Sequence, residues 1–255
     1  VAVFANLAHN ENRILKISES LKAYNDRVKD HFANSNRFDG SNTQPFTQYV
    51  EGGSQTSIWG VPSLGIDPAT GEEIFIRPDG SITNTWNTND QVVLGDTEPK
   101  IQGTFGLNAT YKNLSLYMTF MYEAGGQIYN STLRDKVEDV NVYTSNVDKR
   151  VFSERWQEPG DKARYRKLTS GVGGSIMRTR PTSRFVEDNN VLTLNSISLG
   201  YDFDAGQKWM KTIGLSMLRF EIGANDVCRW SSVKVERGLN YPYARSFNFS
   251  LKAAF

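Results

Sequence analysis

The chain has 255 residues, with 29 Lys and Arg against 28 Asp and Glu, 12% aromatics and one cysteine. So even a charge gives no electrostatic case for a nucleic-acid partner, and Cys228 alone excludes an internal disulfide or a cysteine-rich metal site. No apolar run reaches the ~18 residues a membrane helix needs, which argues against helical spans and says nothing against strands.

Residues 1–17 alternate, with Val1, Val3, Ala5 and Leu7 against Ala2, Phe4, Asn6 and Ala8, and predict one long strand. The chain begins inside that pattern, with neither an initiator Met nor a signal peptide, and is expected to be a piece of a longer one. Leu21, Tyr24, Val28 and Phe32 have helical spacing, so residues 18–33 predict a short amphipathic helix. A polar loop follows at 34–44, then a strand over 46–59 interrupted by Gly52-Gly53. Residues 61–96 are turn-rich. Within them Ile74 to Ile76 and Ser81 to Thr83 predict a small hairpin across Asp79-Gly80.

The cleanest hairpin comes next. Ile101, Phe105, Leu107, Ala109 and Tyr111 face one way, against Gln102, Thr104, Asn108, Thr110 and Lys112. After a turn at Lys112-Asn113, Leu114, Leu116, Met118, Phe120 and Tyr122 oppose Ser115, Tyr117, Thr119 and Glu123. Each strand is about ten residues long, the length a tilted membrane strand requires. The second face is polar but nearly uncharged, as a hydrated lumen would have it.

Residues 125–190 carry no strand pattern. They hold two helical pieces at 133–140 and 147–156, a basic stretch at 162–167 read as solvated, and a glycine cluster at 171–174. A connection of this length is uncommon in compact domains and is usually functional. Residues 191–203 form a strand with a phase slip at Asn195-Ser196, which predicts a bulge or a switch of burial. Residues 204–217 connect to a strand at 218–230, and Asn240, Tyr241 and Pro242 lead to the last strand, 246–255. There Phe247, Phe249, Leu251, Ala253 and Phe255 oppose Ser246, Asn248, Ser250, Lys252 and Ala254. An apolar face of this kind needs either lipid or a second sheet against it.

The count is seven strands, an odd number that suits a fragment of a bacterial barrel better than a whole one. Short connections at 112–113 and 204–217 fall on one side. The long ones at 61–96, 125–190 and 231–244 fall on the other, with 18–45 as an exception on the short side.

Several stretches together resemble the carboxyl-terminal third of SusC/RagA-type TonB-dependent transporters. They are FANLAHNENRIL at 4–15, GIDPATGEEIFIRPDGSIT at 65–83, ERWQEPG at 154–160, SRFVEDNNVLTLNSISLGY at 183–201 and the final YPYARSFNFSLKAAF at 241–255. The resemblance implies an all-β fold: about seven carboxyl-terminal strands of a large transmembrane antiparallel barrel, with long extracellular loops containing short helices. The whole of 1–255 would be barrel, with the plug and earlier strands absent from this chain. It implies TonB-dependent import of an oligosaccharide or oligopeptide across the bacterial outer membrane. The partners implied are a SusD-like surface lipoprotein, TonB through a segment outside this chain, outer-membrane lipid and the barrel-assembly machinery, for which Phe255 would be the signal. Two departures stand out. In the calcium-like loop of many relatives, Phe75 and Arg77 replace acidic ligands, leaving Asp79, so no metal is expected there. Residues 223–238 have also diverged.

No catalytic constellation is present: His9 and His31 lack partner patterns, so neither an enzyme nor a cofactor is expected. The sequons at Asn108, Asn113, Asn130 and Asn248 are read as unused. Candidate ligand or lid contacts are the aromatics Trp86, Tyr129, Tyr143 and Trp156, and Trp59 and Trp230 are candidate interface residues. Candidate lumen-lining residues are Asn108, Thr110, Tyr117 and Glu123. The competing reading is a soluble β-sandwich, a glycan-binding or adhesin module, in which a second sheet covers the apolar faces.

Overall fold

The computed structural model describes residues 1–35, 42–144, 146–168, 177–204, 206–234 and 245–255. In chain order the elements are β1 (Ala2–Ala5), β2 (Ala8–His9), α1 (Glu19–Asn34), β3 (Ser57–Gly60), β4 (Ser63–Ile66), β5 (Glu73–Ile76), β6 (Ile82–Thr83) and β7 (Val92–Asp96). There follow β8 (Ile101–Tyr111), β9 (Leu114–Tyr129), α2 (Ser131–Leu133), α3 (Arg150–Ser153), β10 (Val186–Phe203), α4 (Lys208–Thr212), β11 (Met217–Ser231) and β12 (Ser246–Ala254). They divide into two units. One holds Val1–Asn10, Pro99–Gly125 and Asn189–Phe255; the other holds Glu11–Glu98 and Gly126–Asp188.

The first unit is built on one antiparallel sheet in the order β1-β8-β9-β10-β11-β12, with β2 also on β8. Its register turns separate alternations into two continuous faces. Val3 pairs with Leu107 and Leu107 with Met118; Phe105 pairs with Phe120. Across the next strands Leu199 meets Ile222 and Ile222 meets Phe249, while Tyr201, Phe220 and Leu251 form a second such row. These apolar columns fall on one face because cross-strand partners share a face and the period is two. Among the described residues that face stands open: Phe249 is 72% exposed and Leu251 67%. A sandwich would bury such side chains against a second sheet, whereas Phe249 and Leu251 stand open among the described residues.

Seven strands occupy only six positions, since β1 and β2 share one, and the composition of the seven differs from expectation. The expected long strand over 1–17 stops at His9. The expected strand over 46–59 is only Ser57–Gly60, and it pairs with β7 in a separate two-stranded sheet. That removes the exception at 18–45. β2 ends at His9, opposite Ile101, so residues 11–98 are one insertion that leaves and rejoins the sheet at the same end as the other long connections. The short connections lie at the opposite end.

Two predictions of local geometry hold with refinements. The β8–β9 turn is two residues, with Lys112 at φ +53. The slip near Asn195 is a bulge, but its extra residue lies on the partner. Leu194 faces Cys228 and Ser196 faces Asn225, so Asn195 alone opposes Asp226 and Val227, and Asp226 takes φ +52. The loop expected over 125–190 is shorter, because β9 runs on to Tyr129 and β10 starts at Val186. Gly125, Gly126 and Asn189 are poor strand formers, and pairing overrides their propensity.

The second unit has two cores. One gathers Ile58, Tyr129, Leu133, Val137, Val140, Val151, Tyr165 and Phe185. The other gathers Val28, Phe32, Val61, Phe75 and Trp86. Helix α1 starts where Ser18 Oγ accepts the Leu21 N–H at 3.3 Å. It buries Val28 and Phe32, one turn apart. The β5–β6 hairpin forms as expected, Phe75 pairing with Thr83 and Ile76 with Ile82.

Candidate functional site

The other face of the main sheet is a hydrogen-bonding wall. Asn108 pairs with Tyr117, Thr110 with Ser115 and Gln102 with Glu123. All four residues predicted for the lumen therefore share one face, with Asn108, Thr110 and Tyr117 exposed and Glu123 half-buried. Phe4 joins them from β1. Its ring lies over Gly106 and stacks on Tyr117 at 6.2 Å and 18°. Only glycine allows this approach: a Cβ at position 106 would sit 2.3 Å from the Phe4 ring.

Further along the wall is a charged cluster that sequence reasoning missed. Arg219 on β11 pairs in register with Asp202 on β10 and Lys252 on β12. Its guanidinium donates to both Asp202 oxygens at 3.0 and 3.3 Å, to Ser115 Oγ at 2.9 Å and to Glu221 at 3.4 Å. Ser115 Oγ in turn donates to the Gly200 carbonyl at 3.3 Å. Three strands thus meet at one side chain. The signal was legible as alternating charges, Arg219 and Glu221, on a face that is otherwise mostly polar and uncharged.

In the second unit the buried chemistry is ionic. Arg184 holds Glu73 with two bonds of 2.8 Å and Glu138 with a third of 2.8 Å. Arg166 lies 3.3 Å from Glu138 and 3.0 Å from Asp139. Asp139 also accepts the Thr179 N–H and hydroxyl, each at 2.7 Å. Arg155 is buried too, and its donors end on main-chain carbonyls of Val137, Glu138, Val151 and Arg166. A wide helical turn over Arg134–Glu138 closes with the Asp139 N–H on the Arg134 carbonyl at 2.7 Å and places the adjacent carboxylates inward.

Burial alone would push the Glu138 carboxyl up, but Arg184 and Arg166 override it and hold it below the usual range. Asp139 goes the other way. Its burial outweighs Arg166, the charge of Glu138 adds to the effect, and its carboxyl is raised. The stretch 162–167 is therefore not a solvated run. Arg166 is buried, Arg164 lies 3.2 Å from Glu187, and Lys167 lies 3.0 Å from Glu72. The space left among Glu73, Trp86, Arg166, Arg178 and Arg180 is about 20 Å³. That is room for a water and too little for a nutrient.

The predicted aromatic contacts are scattered. Trp86 is 7% exposed: its indole N–H donates to the Pro181 carbonyl at 3.1 Å, and Arg180 lies 4.8 Å over its ring. Tyr129 is 9% exposed, edge-on to Phe185. Both are core residues, because their rings close the two cores. Trp156 is half-buried, with its N–H on the Pro68 carbonyl at 2.9 Å and its ring against Gly71, so it pins its own loop to the 65–83 insert. Tyr143 alone of the four is largely open, at 80%. Trp59 lies in β3, outside the main sheet, whereas Trp230 is exposed on β11. An open cleft of about 270 Å³, lined by Tyr24, Arg27, Val28, His31 and Phe46, was not predicted. Asp79, the remnant of the calcium-like loop, accepts the Ser81 N–H at 2.8 Å and serves its own turn. The glycine cluster at 171–174 and the Asn240, Tyr241 and Pro242 connection lie outside the described residues.

No model of a known protein family matches the chain. TonB-dependent receptor P3 of Formosa agariphila is 24% identical over 276 residues, covering 98% of this chain and 26% of that protein. TonB-dependent receptor P26 of the same organism is 24% identical over 149 residues, covering 58% of this chain and 14% of that protein. Among solved structures, the RagAB peptide transporter superposes with a TM-score of 0.66 at 20% identity, covering 91% of this chain and 24% of the matched one. The RagAB peptide importer in its open-open state gives 0.64 at 22%, covering 91% and 23%. The chain spans about a quarter of the length of the first relative. The chain is thus similar to part of a TonB-dependent receptor, along nearly all of its sequence in the first relative and over 58% of it in the second, and it shares the fold of the matching quarter of the RagAB chain.

Proposed function

We propose that the chain is a carboxyl-terminal portion of the barrel subunit of a SusCD-like complex, which imports an oligosaccharide or oligopeptide through the outer membrane. The observation that carries this is the register of the main sheet. It aligns apolar columns such as Leu199–Ile222–Phe249 and Leu107–Met118 on one face, fit for lipid, and polar columns such as Asn108–Tyr117 and Asp202–Arg219–Lys252 on the other, fit for a hydrated lumen. Asn108, Thr110, Tyr117 and Glu123 would line that lumen, with Arg219 among them. Tyr143 would face ligand or lid; Trp86, Tyr129 and Trp156 would act by holding the outer unit in shape.

Capture at the outer face, closure by a SusD-like surface lipoprotein and TonB-driven movement of a plug would constitute the cycle, with plug and TonB contact outside this chain. Phe255 would be read by the barrel-assembly machinery. Between the two cargo classes, the names of the structural neighbours favour peptide.

The test is uptake. Cells carrying the full-length protein, and cells lacking it, are given labelled oligopeptides and labelled oligosaccharides, with and without a protonophore. Accumulation of one class, lost both with the gene and with the protonophore, is expected. Equal accumulation in the two strains refutes the proposal. Co-purification of a lipoprotein with the tagged protein tests the partner separately.

A further inference from the structure

The short-connection end of the sheet carries chemistry that import does not use. Three parts of the chain meet there. The Asp202 N–H donates to the Asn113 carbonyl at 2.8 Å, joining the end of β10 to the β8–β9 turn. The Ser216 N–H donates to the Ala254 carbonyl at 2.8 Å, joining the α4 connection to the end of β12.

On this rim stand Lys112, beside the Tyr111 ring at 5.5 Å, and Lys208 and Lys211 on α4, on either side of Trp209 and Met210. All three lysines are exposed, and among the described residues no carboxylate forms an ion pair with any of them. The nearby acids are engaged elsewhere. Asp202 and Glu221 turn to Arg219 on the polar wall, and Asp204 accepts the Gly206 N–H at 2.9 Å.

The aromatics of the rim belong to the apolar face. Tyr201 meets Phe203 edge-on at 5.0 Å, and Phe203 meets Trp209 edge-on at 5.9 Å. Tyr201, Trp209 and Tyr111 stay exposed. Met210 on α4 is fully buried. The order from the middle of the sheet outward is thus aliphatic, aromatic, ammonium. It matches the order of a leaflet: acyl chain, interface, phosphate.

We propose that this rim binds anionic phospholipid headgroups, with the ammonium groups of Lys112, Lys208 and Lys211 on the phosphates and Tyr111, Tyr201 and Trp209 at the level of the glycerol backbone. Charge complementarity selects the occupant, because three unpaired cations at the edge of an apolar face favour a lipid with net negative charge over a zwitterionic one. Lysine stems run along the apolar surface while their heads reach the phosphates. The inference rests on the membrane-spanning reading above.

The experiment uses the full-length protein in neutral detergent, titrated with phosphatidylglycerol or with phosphatidylcholine of the same chains. Retained lipids are counted by native mass spectrometry. The protein should prefer phosphatidylglycerol, and Lys112→Gln, Lys208→Gln and Lys211→Gln should each lower its apparent affinity about fivefold. The triple variant should treat both lipids alike, with heat-modifiable gel mobility unchanged because no substituted residue is buried. Equal retention of the two lipids by the unaltered protein, or a preference surviving in the triple variant, overturns the headgroup site alone. A protein that retains neither lipid and stays in solution without detergent overturns the membrane-spanning reading, and the site with it.

Discussion

In the sheet unit Phe249 and Leu251 stand open, while in the other unit Arg134, Glu138 and Asp139 are exposed by 2% or less. The two units invert one another. One turns its apolar side chains outward and keeps hydrogen-bonding groups on a wall; the other folds guanidinium and carboxylate groups into its middle and holds them with paired bonds. Under the proposed function, the difference teaches that burial in this chain would follow the surroundings each unit is written for. A sheet facing hydrocarbon gains nothing by hiding Phe249, whereas a body of loops in water has few long apolar runs and welds itself with charges.

The largest effect should come from breaking the weld. Arg184→Met leaves Glu73 and Glu138 buried without their main partner, at a cost of about 3–5 kcal/mol. Limited proteolysis of the full-length protein should then cut within residues 126–188, while its heat-modifiable gel mobility stays as it was. Cleavage equal to that of the unaltered protein would break the comparison from the loop side.

The next effect tests the sheet. Phe249→Arg places a charge at the middle of the apolar face and should cost about 2–4 kcal/mol in a bilayer. Asn248→Arg, one residue away on the polar wall, should cost far less. Urea denaturation of the protein in vesicles reads both. Equal losses would mean that the two faces do not see different solvents.

A finer test separates the adjacent carboxylates. Glu138 is held below its usual range, so its contribution is present above the unfolded value near 4.3 and fades as pH falls through the lower folded value. Glu138→Gln should therefore destabilise the unit at pH 7, and the deficit should shrink at strongly acid pH. Asp139 is raised, so it binds its proton more readily folded than unfolded, and Asp139→Asn should be the milder change at pH 7. Thermal scans of both variants across pH provide the check; a milder Glu138→Gln would reverse the assignment.

The smallest effect is local. Gly71 takes φ +70, and a Cβ there would lie 2.5 Å from the Trp156 ring. Gly71→Ala should cost about 1–2 kcal/mol for the left-handed backbone, with the ring displaced. A changed emission from Trp156, judged against Trp156→Phe, reads it.

How much of this the sequence disclosed follows the same division. The sheet was legible because period-two alternation is local: Ile101 to Tyr111 and Phe247 to Ala253 declare their faces without help from distant residues. The bulge showed as a phase slip at Asn195, although only pairing could reveal that the extra residue is Asp226. The second unit was opaque because its partners lie far apart. Arg184 and Glu73 are 111 residues apart, and Asp139 and Thr179 are 40 apart. No spacing rule joins them, so Arg166 read as one more surface cation. The candidate wall of Asn108, Thr110, Tyr117 and Glu123 came together for the same local reason as the sheet. Trp86 and Tyr129 did not, because an aromatic in a long loop looks alike whether it waits for a ligand or closes a core.

The pairing of β1 with β8 has a consequence in time. The β8–β9 hairpin closes over two residues, and β10, β11 and β12 follow one another along the chain, but His9 must find Ile101 across the whole of residues 11–98. Closing so long a span costs entropy before any ladder bond repays it. The hairpins should therefore zip early, and β1 should dock last, once the insertion has condensed and drawn its two ends together. The second unit would then act as the clasp that sets the pace of assembly.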